Sequence, residues 1–199
     1  VDMALLRNIL ETARHAPSGG NVQPWQVTVL TGESLTYLRT AMQGAMATPQ
    51  TPEYRIYPAD LPDPWRNRRG ANGEALYGAL GIGREDKAAR MQQMARNFDF
   101  FGAPVGLFVH MPKFMGPPQW ADLGIWLQTV MLLLVEAGLG SCAQEAWSIY
   151  PETVKQVAQI PEDHVLFCGL AIGWPDPEAP VNSFANARAP LAESARFLD

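Results

Sequence analysis

The 199-residue chain is long enough to bury the core of one domain, with 47% hydrophobic and 18% charged residues. Its formal net charge of −5 argues against nucleic acid as a main partner, because phosphate binding requires a basic face. So small a charged fraction is expected where a subunit interface buries part of the surface.

The sequence predicts a cytoplasmic protein without a membrane partner. No segment has the pattern of a signal peptide. The longest apolar run, residues 123–135, contains Gln128 and is shorter than the roughly 20 residues that span a bilayer. Cys142 and Cys168 lie far apart in apolar surroundings. We expect both to be buried, reduced thiols, as is usual in the cytoplasm.

The beginning of the chain predicts a helix, a strand and a second helix. Asp2 suits a helix N-cap, and apolar residues recur behind it at helical spacing as far as Ala13. This helix should end before Pro17, because the residue that precedes a proline avoids the α region. The β-branched run at 26–31 predicts a strand, and helical spacing returns at 33–47.

Residues 48–83 break this pattern with five prolines and a scatter of tyrosine and tryptophan. Long irregular segments in compact domains are usually functional or disordered, and the aromatic content argues against disorder. We therefore predict an ordered excursion that covers a pocket or a partner subunit. Its arginines, Arg66, Arg68 and Arg69, favour a solvated surface cluster over an anion site, and both interpretations stay open here.

The rest of the chain predicts alternating helices and strands, followed by an irregular arm. The predicted elements are a helix at 84–98, a strand at 105–110, a helix at 120–138, a loop at 141–150, a short helix at 151–159 and a strand at 165–172. Both strands are continuous apolar runs, as in strands covered on both faces. The helix at 120–138 is apolar nearly all round and should be buried on most sides. Residues 174–199 show no period and should form a surface arm that lies on another subunit.

The motifs of common enzyme chemistries are missing from the sequence. There is no Gly-x-Gly-x-x-Gly between a strand and a helix, no P-loop, no Gly-x-Ser-x-Gly elbow and no His-Glu-x-x-His. His15, His110 and His164 show no metal-ligand spacing. If the protein is an enzyme, an organic cofactor is therefore expected to carry the reaction.

Residues 15–26, between the first helix and the first strand, have the composition of a binding loop. Two prolines restrict the backbone, while two adjacent glycines permit conformations and close approaches that a Cβ would prevent. Ser18, Asn21 and Gln23 supply short hydrogen-bonding side chains, and Trp25 offers a flat apolar wall. By composition alone, an ordinary turn and a functional loop are both possible.

Residues 17–25, Pro-Ser-Gly-Gly-Asn-Val-Gln-Pro-Trp, resemble the loop after the first long helix of FMN-dependent nitroreductases, where Pro-Ser-x-x-Asn-x-Gln-Pro-Trp is typical. The Pro-Ser-Gly form is also similar to that of related flavin-dependent dehalogenases and flavin-destroying enzymes. Further matches follow in the family's order: Gly-Ala-Pro-Val at 102–105, Leu-Gly-Ser-Cys-Ala-Gln-Glu-Ala-Trp at 139–147, Leu-Ala-Ile-Gly-Trp-Pro at 170–175 and Arg-Ala-Pro-Leu at 188–191. Where many relatives have Gly and Phe, this chain has Ala146 and Trp147.

The resemblance implies an α+β fold, a three-layer α-β-α sandwich whose mostly antiparallel sheet surrounds a central buried helix. Residues 1–199 would form a single nitroreductase-like domain, with the excursion at 48–83 covering the active site or the partner subunit. The arm at 174–199 would be exchanged between the subunits of a homodimer, and two FMN sites would lie at the subunit interface.

The resemblance also implies where FMN binds. The loop around Ser18 in one subunit would face the flavin held mainly by the other, and a backbone N–H of Glu145 or Ala146 would face the flavin N5. The expected cofactor-binding residues are Pro17, Ser18, Gly19, Asn21 and Gln23 in the loop, Ala143, Gln144, Glu145 and Ala146 after the central helix, and Arg188 at the phosphate. No catalytic side chain is required, because the flavin carries the chemistry. Relatives supply most of the phosphate charge from an arginine-rich segment before the first helix, which we expect upstream of Val1.

The implied activity is ping-pong reduction, in which NADH or NADPH gives a hydride to the flavin and leaves before a nitroaromatic substrate takes two electrons. The segments at 66–69 and 96–101 resemble those of the branch that reduces nitrobenzoate to hydroxylaminobenzoate. Quinone or enone reduction and reductive dehalogenation are alternatives on the same scaffold. A non-catalytic flavin-binding or small-molecule-binding protein and a non-enzymatic helical interaction module also stay open.

Overall fold

A computed structural model describes residues 1–198, which contain six α-helices and one sheet of four strands. The helices are α1 (Met3–Ala13), α2 (Gly32–Ala45), α3 (Trp65–Ala79), α4 (Lys87–Ala95), α5 (Pro117–Glu136) and α6 (Pro151–Ala158). The strands are β1 (Gln26–Thr31), β2 (Val105–Pro112), β3 (Gly140–Gln144) and β4 (His164–Gly173). Val1–Ile56 and Met94–Pro175 form one compact unit, and Tyr57–Gln93 with residues 176–198 form a second.

The sheet of the first unit is antiparallel throughout, in the order β1-β2-β4-β3. The two central strands, β2 and β4, are buried along nearly their whole length, which confirms the prediction that both are covered on two faces. The register between them shifts at Val109 and His110. These two residues lie opposite Cys168 and Leu166, so Phe167 has no register partner on β2. This bulge changes which side chains face each layer of the core.

Helices cover both faces of the sheet. On one face α1 and α5 pack against the side chains of Leu107, Val109 and Leu170, together with other apolar residues of the two central strands. On the opposite face α2 and α6 pack around Phe108 and Leu166. The predicted α+β fold, a three-layer α-β-α sandwich with an antiparallel sheet, is therefore confirmed.

The local signals at the beginning of the chain are confirmed. The Asp2 side chain accepts a hydrogen bond from the Ala4 N–H at 2.8 Å and so caps α1. Helix α1 ends at Ala13, before Pro17, and β1 has the predicted bounds.

Three predicted stretches are corrected by the structure. The irregular excursion at 48–83 contains α3, which the sequence did not signal because the helix carries three glycines and buries none of its residues. The helix predicted at 84–98 is only α4, and a 3-10 helix, Arg96–Gly102, follows it. The loop predicted at 141–150 begins with β3, which has no β-branched or aromatic residue and is specified by its pairing with β4.

Cys142 is exposed, so the prediction that both cysteines are buried is wrong for this residue and correct for Cys168. The reason is that β3 is an edge strand of the sheet, whereas β4 is a central one. Both cysteines are free thiols.

Helix α5 is less buried within one chain than its composition predicts. Leu123 and Val130 are fully buried against the sheet, but Ile125, Leu132 and Val135 are 43%, 61% and 66% exposed. These three apolar residues recur at helical spacing, so one face of the helix offers a continuous apolar stripe to solvent. None of the helices within residues 1–198 combines the length and the apolar character that crossing a membrane requires.

The arginines of the excursion belong to the second unit and make surface contacts within it. Arg66 pairs with Asp63 at 2.7 Å, and Arg68 pairs with Glu193. The guanidinium of Arg69 lies 4.0 Å from the ring centroid of Tyr57. These contacts favour the surface-cluster interpretation of the three arginines over an anion site.

Candidate active site

The loop at 17–23, called the Ser18 loop below, has an unusual backbone. Gly20, Asn21 and Gln23 have φ values of +58°, +58° and +50°, within the left-handed region. Glycine adopts this region at little cost and asparagine tolerates it, but glutamine is strained there. The conformation is held locally, since the Gln23 N–H donates to Ser18 Oγ at 2.9 Å and Gln23 Nε2 donates to the Asn21 carbonyl at 3.0 Å.

Two contacts fix the Ser18 loop and the residues just after it to helix α5. The Trp25 ring stacks on Trp126, with ring centroids 6.2 Å apart and an angle of 18° between the planes. The Gly19 N–H donates to Asp122 Oδ1 at 3.1 Å. Around these anchors most of the loop surface stays open to a ligand, because Pro17, Gly19, Asn21 and Gln23 are exposed and Ser18 is half-buried.

The second predicted segment begins at the end of the edge strand β3 and continues into a 3-10 helix, Glu145–Ile149. Ala143 and Glu145 are exposed, and Ala146 is half-buried. The first N–H groups of such a helix have no acceptor within it, so those of Glu145 and Ala146 suit the role of donors to a bound group. Partial burial of the Glu145 carboxyl raises its pKa above the ordinary value.

Gln144 differs from its neighbours because its side chain points inward. Its Nε2 donates to the Asn97 carbonyl at 2.8 Å, and its Oε1 accepts from the indole N–H of Trp147 at 3.4 Å. Only 3% of the residue is exposed. The side chain therefore braces the segment from within, and only the backbone of Gln144 is suited to contact a cofactor.

Trp147 anchors this segment to the sheet. It is fully buried against the rings of Phe98, Phe100 and Phe108. Its indole lies over Gly169 of β4, where an added Cβ would come within 2.3 Å of the ring. The glycine thus makes the room that a large ring needs beside a central strand.

Arg188 belongs to the second unit and is exposed. Its Nη1 donates to the carbonyls of Asn186 and Ala187, at 3.2 and 3.1 Å. A guanidinium has five N–H donors, so these contacts leave others for a phosphate.

Within residues 1–198, no hydrogen bond joins the Ser18 loop to residues 143–146. The structure brings together the predicted residues inside each segment but does not join the two segments.

Asp122 belongs to none of the motifs from which the site was predicted. It is a buried carboxylate on a helix whose other inward-facing residues are apolar. That contrast is a usable signal, because a charged residue is rarely buried without a partner. The residue lies directly beneath the Ser18 loop, through its bond to Gly19.

A buried polar network also went unpredicted, since its members are distant in sequence. His110 Nδ1 and His164 Nδ1 are 2.8 Å apart, and both residues are buried. Burial, reinforced by the charges of His164 and Lys155, lowers the pKa of His110 to about 4. Lys155, itself buried, pairs with Glu53 at 2.5 Å. Burial alone would raise the pKa of Glu53, but hydrogen bonds from Lys155, the Leu166 N–H and Lys113 outweigh it and hold the pKa below its usual value.

Comparison with known proteins places the chain in a family. The profile of the Nitroreductase family matches residues 1–174. A 4-nitrobenzoate reductase from Pseudomonas putida is 35% identical over 188 residues, covering 94% of this chain and 83% of that protein. A nitrobenzene nitroreductase from Ectopseudomonas oleovorans is 33% identical over 204 residues, covering 100% of this chain and 88% of that protein.

A solved structure agrees with these relatives. The crystal structure of an FMN- and NADPH-dependent nitroreductase, NfnB from Sphigopyxis sp. strain HMH, matches with a TM-score of 0.97 and 52% identity, covering 100% of this chain and 91% of that one. The chain therefore belongs to the nitroreductase family, and the resemblance drawn from its loop motifs is confirmed.

Proposed function

We propose that this protein is an FMN-dependent oxidoreductase that uses NAD(P)H to reduce nitroaromatic compounds. When bound, FMN would supply two-electron redox chemistry, with NAD(P)H as the hydride donor and a nitro group as the electron acceptor. Relatives named for nitrobenzene and 4-nitrobenzoate reduction match nearly the whole chain, and a 52% identical structure is named for both FMN and NADPH.

The observation that carries the proposal is the geometry of the Ser18 loop on this fold. Its exposed glycines, Gly19 and Gly20, present backbone without side chains, and the hydroxyl of Ser18 lies beside them. A flat aromatic group can approach such a surface closely. The loop is also fixed to α5 through Gly19, and the chain just beyond the loop is fixed through Trp25, so the surface is formed before a ligand arrives.

The remaining predicted residues would hold the cofactor in complementary ways. Ser18 Oγ accepts from Gln23, which leaves the hydroxyl proton available for donation to a ligand. The N–H groups of Glu145 and Ala146 would donate to the flavin, and Arg188 would contribute a charge-assisted bond to the phosphate. None of these residues acts as an acid or a base, and their task is to bind and orient.

We further propose that the active form is a homodimer with its interface on α5. The support is the exposed apolar stripe of Ile125, Leu132 and Val135, since exposed apolar surface of this kind marks an interaction site. A dimer also explains how the Ser18 loop and residues 143–146, which share no hydrogen bond within residues 1–198, could serve one flavin. Exchange of the 174–199 arm and coverage of the site by residues 48–83 stay predictions.

We propose a cytoplasmic location because both cysteines are free thiols. Cys142 and Cys168 are both free, and burial raises the pKa of the Cys168 thiol well above its usual value. Free thiols are typical of a reducing compartment.

For the substrate we propose a nitrobenzoate, following the relative from Pseudomonas putida. If the site recognises the carboxylate through a charge-assisted hydrogen bond, kcat/KM for 4-nitrobenzoate should exceed that for nitrobenzene by about tenfold or more. Steady-state assays with NADH and with NADPH, and with a quinone as a third acceptor, measure this directly. Equal kcat/KM for the acid and the neutral compound would rule out carboxylate recognition.

Replacing Ser18 by tryptophan tests the loop itself. The bulky ring would occupy the space that a flavin requires, so FMN affinity should fall by about tenfold or more while the melting temperature stays nearly constant. Titration of the apoprotein with FMN measures the affinity. Ser18→Ala is the matched control, because it removes the bond to the Gln23 N–H without adding bulk and should have the smaller effect. An S18W variant that folds and binds FMN normally would remove the loop from the site.

A further inference from the structure

Asp122 bonds to the Ser18 loop through one carboxyl oxygen, while its other oxygen is buried without a partner among residues 1–198. The residue is 5% exposed, and its Oδ1 accepts the Gly19 N–H at 3.1 Å. Its Oδ2 is fully buried and has no hydrogen-bond partner among residues 1–198. A Cβ at position 19 would lie 3.9 Å from this second oxygen, so Oδ2 faces the underside of the loop backbone.

The bond to Asp122 is the single hydrogen bond within residues 1–198 that ties residues 17–23 to another element of the fold. The other bonds of the loop are internal, such as those from Asn21 to the Ser18 carbonyl and from Gln23 to Ser18 Oγ. The loop also contains two non-glycine residues in the left-handed region. A strained conformation persists only where its surroundings stabilise it. Here the Asp122 carboxylate accepts the hydrogen bond that connects the loop to the rest of the fold.

A carboxylate is a poor choice at this position for stability alone. A buried polar atom that lacks a partner loses its hydration without compensation, and an apolar residue of similar size would avoid that loss. The Gly19 N–H would lose little by the exchange, because Gly19 is exposed and its N–H could bond to water. A buried polar atom without a partner, next to a loop that is proposed to bind a ligand, is the pattern expected of a functional residue.

We propose that Asp122 is a positioning residue, which fixes the Ser18 loop in the conformation that receives the flavin. This inference rests on the proposed function and deepens it. Asp122 acts through the Gly19 N–H, and without it the loop relaxes towards conformations in which the backbone surface for the cofactor is lost. Replacing Asp122 by leucine therefore separates two quantities that normally change together: stability is kept or rises, and FMN affinity falls.

The first arm of the test uses the full chain without added FMN. Hydrogen exchange of the Gly19 amide, read from a peptide that covers the Ser18 loop, should be about tenfold or more faster in Asp122→Leu than in the parent protein. Asp122→Asn keeps an oxygen acceptor for Gly19, so its exchange should stay within about threefold of the parent. Unchanged exchange in the leucine variant would show that Asp122 does not hold the Ser18 loop through the Gly19 N–H.

The second arm measures the FMN dissociation constant and urea unfolding of the same variants. We expect Asp122→Leu to weaken FMN binding about tenfold with an unfolding midpoint equal to or above that of the parent, and Asp122→Asn to restore binding. Leu38→Ala, in the opposite layer of the core, is the matched control, because it should lower stability and leave FMN affinity unchanged. Parallel loss of stability and affinity in the leucine and asparagine variants, or normal FMN binding by the leucine variant, would overturn the proposal. A parent protein that binds no FMN would instead refute the proposed function, and the exchange arm would be unaffected.

Discussion

Replacing Trp147 by alanine should lower the free energy of unfolding by about 3–5 kcal/mol, the range for removing a large aromatic side chain from a packed core. The indole fills the space over Gly169 and contacts three phenylalanine rings, so its loss leaves a cavity that a central strand cannot close by moving. The Gln144 side chain also loses its contact with the indole N–H. Urea unfolding followed by circular dichroism measures the change.

An exposed tyrosine supplies the control for this substitution. Tyr37 lies on helix α2 and is 62% exposed, so Tyr37→Ala should change the free energy of unfolding by less than about 0.5 kcal/mol. If the two alanine variants unfold at similar urea concentrations, the packing role given to Trp147 is wrong. Because Trp147 directly follows Glu145 and Ala146, its loss should also weaken FMN binding, which Tyr37→Ala should leave intact.

The buried histidine pair predicts a loss of stability in mild acid. In the folded protein the pKa of His110 is lowered to about 4, mainly by burial, whereas an unfolded chain has an ordinary histidine pKa of about 6.5. Between these pH values the unfolded state binds a proton that the folded state does not. The neutral, buried His110 therefore causes no loss of stability above pH of about 6.5. As the pH drops from there to about 4, the free energy of unfolding should fall by about 2 to 3 kcal/mol.

Urea unfolding at a series of pH values tests this prediction through His110→Asn. The amide can still bond to His164 but does not titrate, so the pH dependence in this window should flatten. His15→Asn, at an exposed position, is the matched control and should keep the pH dependence of the parent. The lowered pKa of Glu53 adds a separate loss at lower pH, as its carboxylate is protonated and its contacts with Lys113 and Lys155 weaken. An unaltered pH profile in the His110 variant would show that the pair does not control acid stability.

The elements that could be predicted from sequence are those whose patterns reflect burial. The two central strands are continuous apolar runs because helices cover both sides of them, and α1 carries both a cap and a one-sided apolar face. Strand β3 and helix α3 carry no such pattern. The first is defined by its partner strand, and the second buries none of its residues in this chain.

The candidate site was predictable through contiguous motifs and unpredictable where it depends on distant pairs. The Ser18 loop and residues 143–146 each form one stretch of sequence, so their resemblance to a family is visible directly. The bond between Asp122 and Gly19 joins residues 103 positions apart, and the inward turn of Gln144 depends on Asn97. Such contacts arise only once the layers have packed.

The protein should bind FMN, accept a hydride from NAD(P)H and pass electrons to a nitroaromatic compound. Anaerobic addition of NADPH, or of NADH, to the FMN-loaded protein can show both electron transfers in one sample. We expect the visible absorbance of the oxidised flavin to disappear on addition of the nucleotide and to return when 4-nitrobenzoate is added. Flavin absorbance that persists after either nucleotide is added, or bleached flavin that the nitro compound does not reoxidise, would contradict this activity.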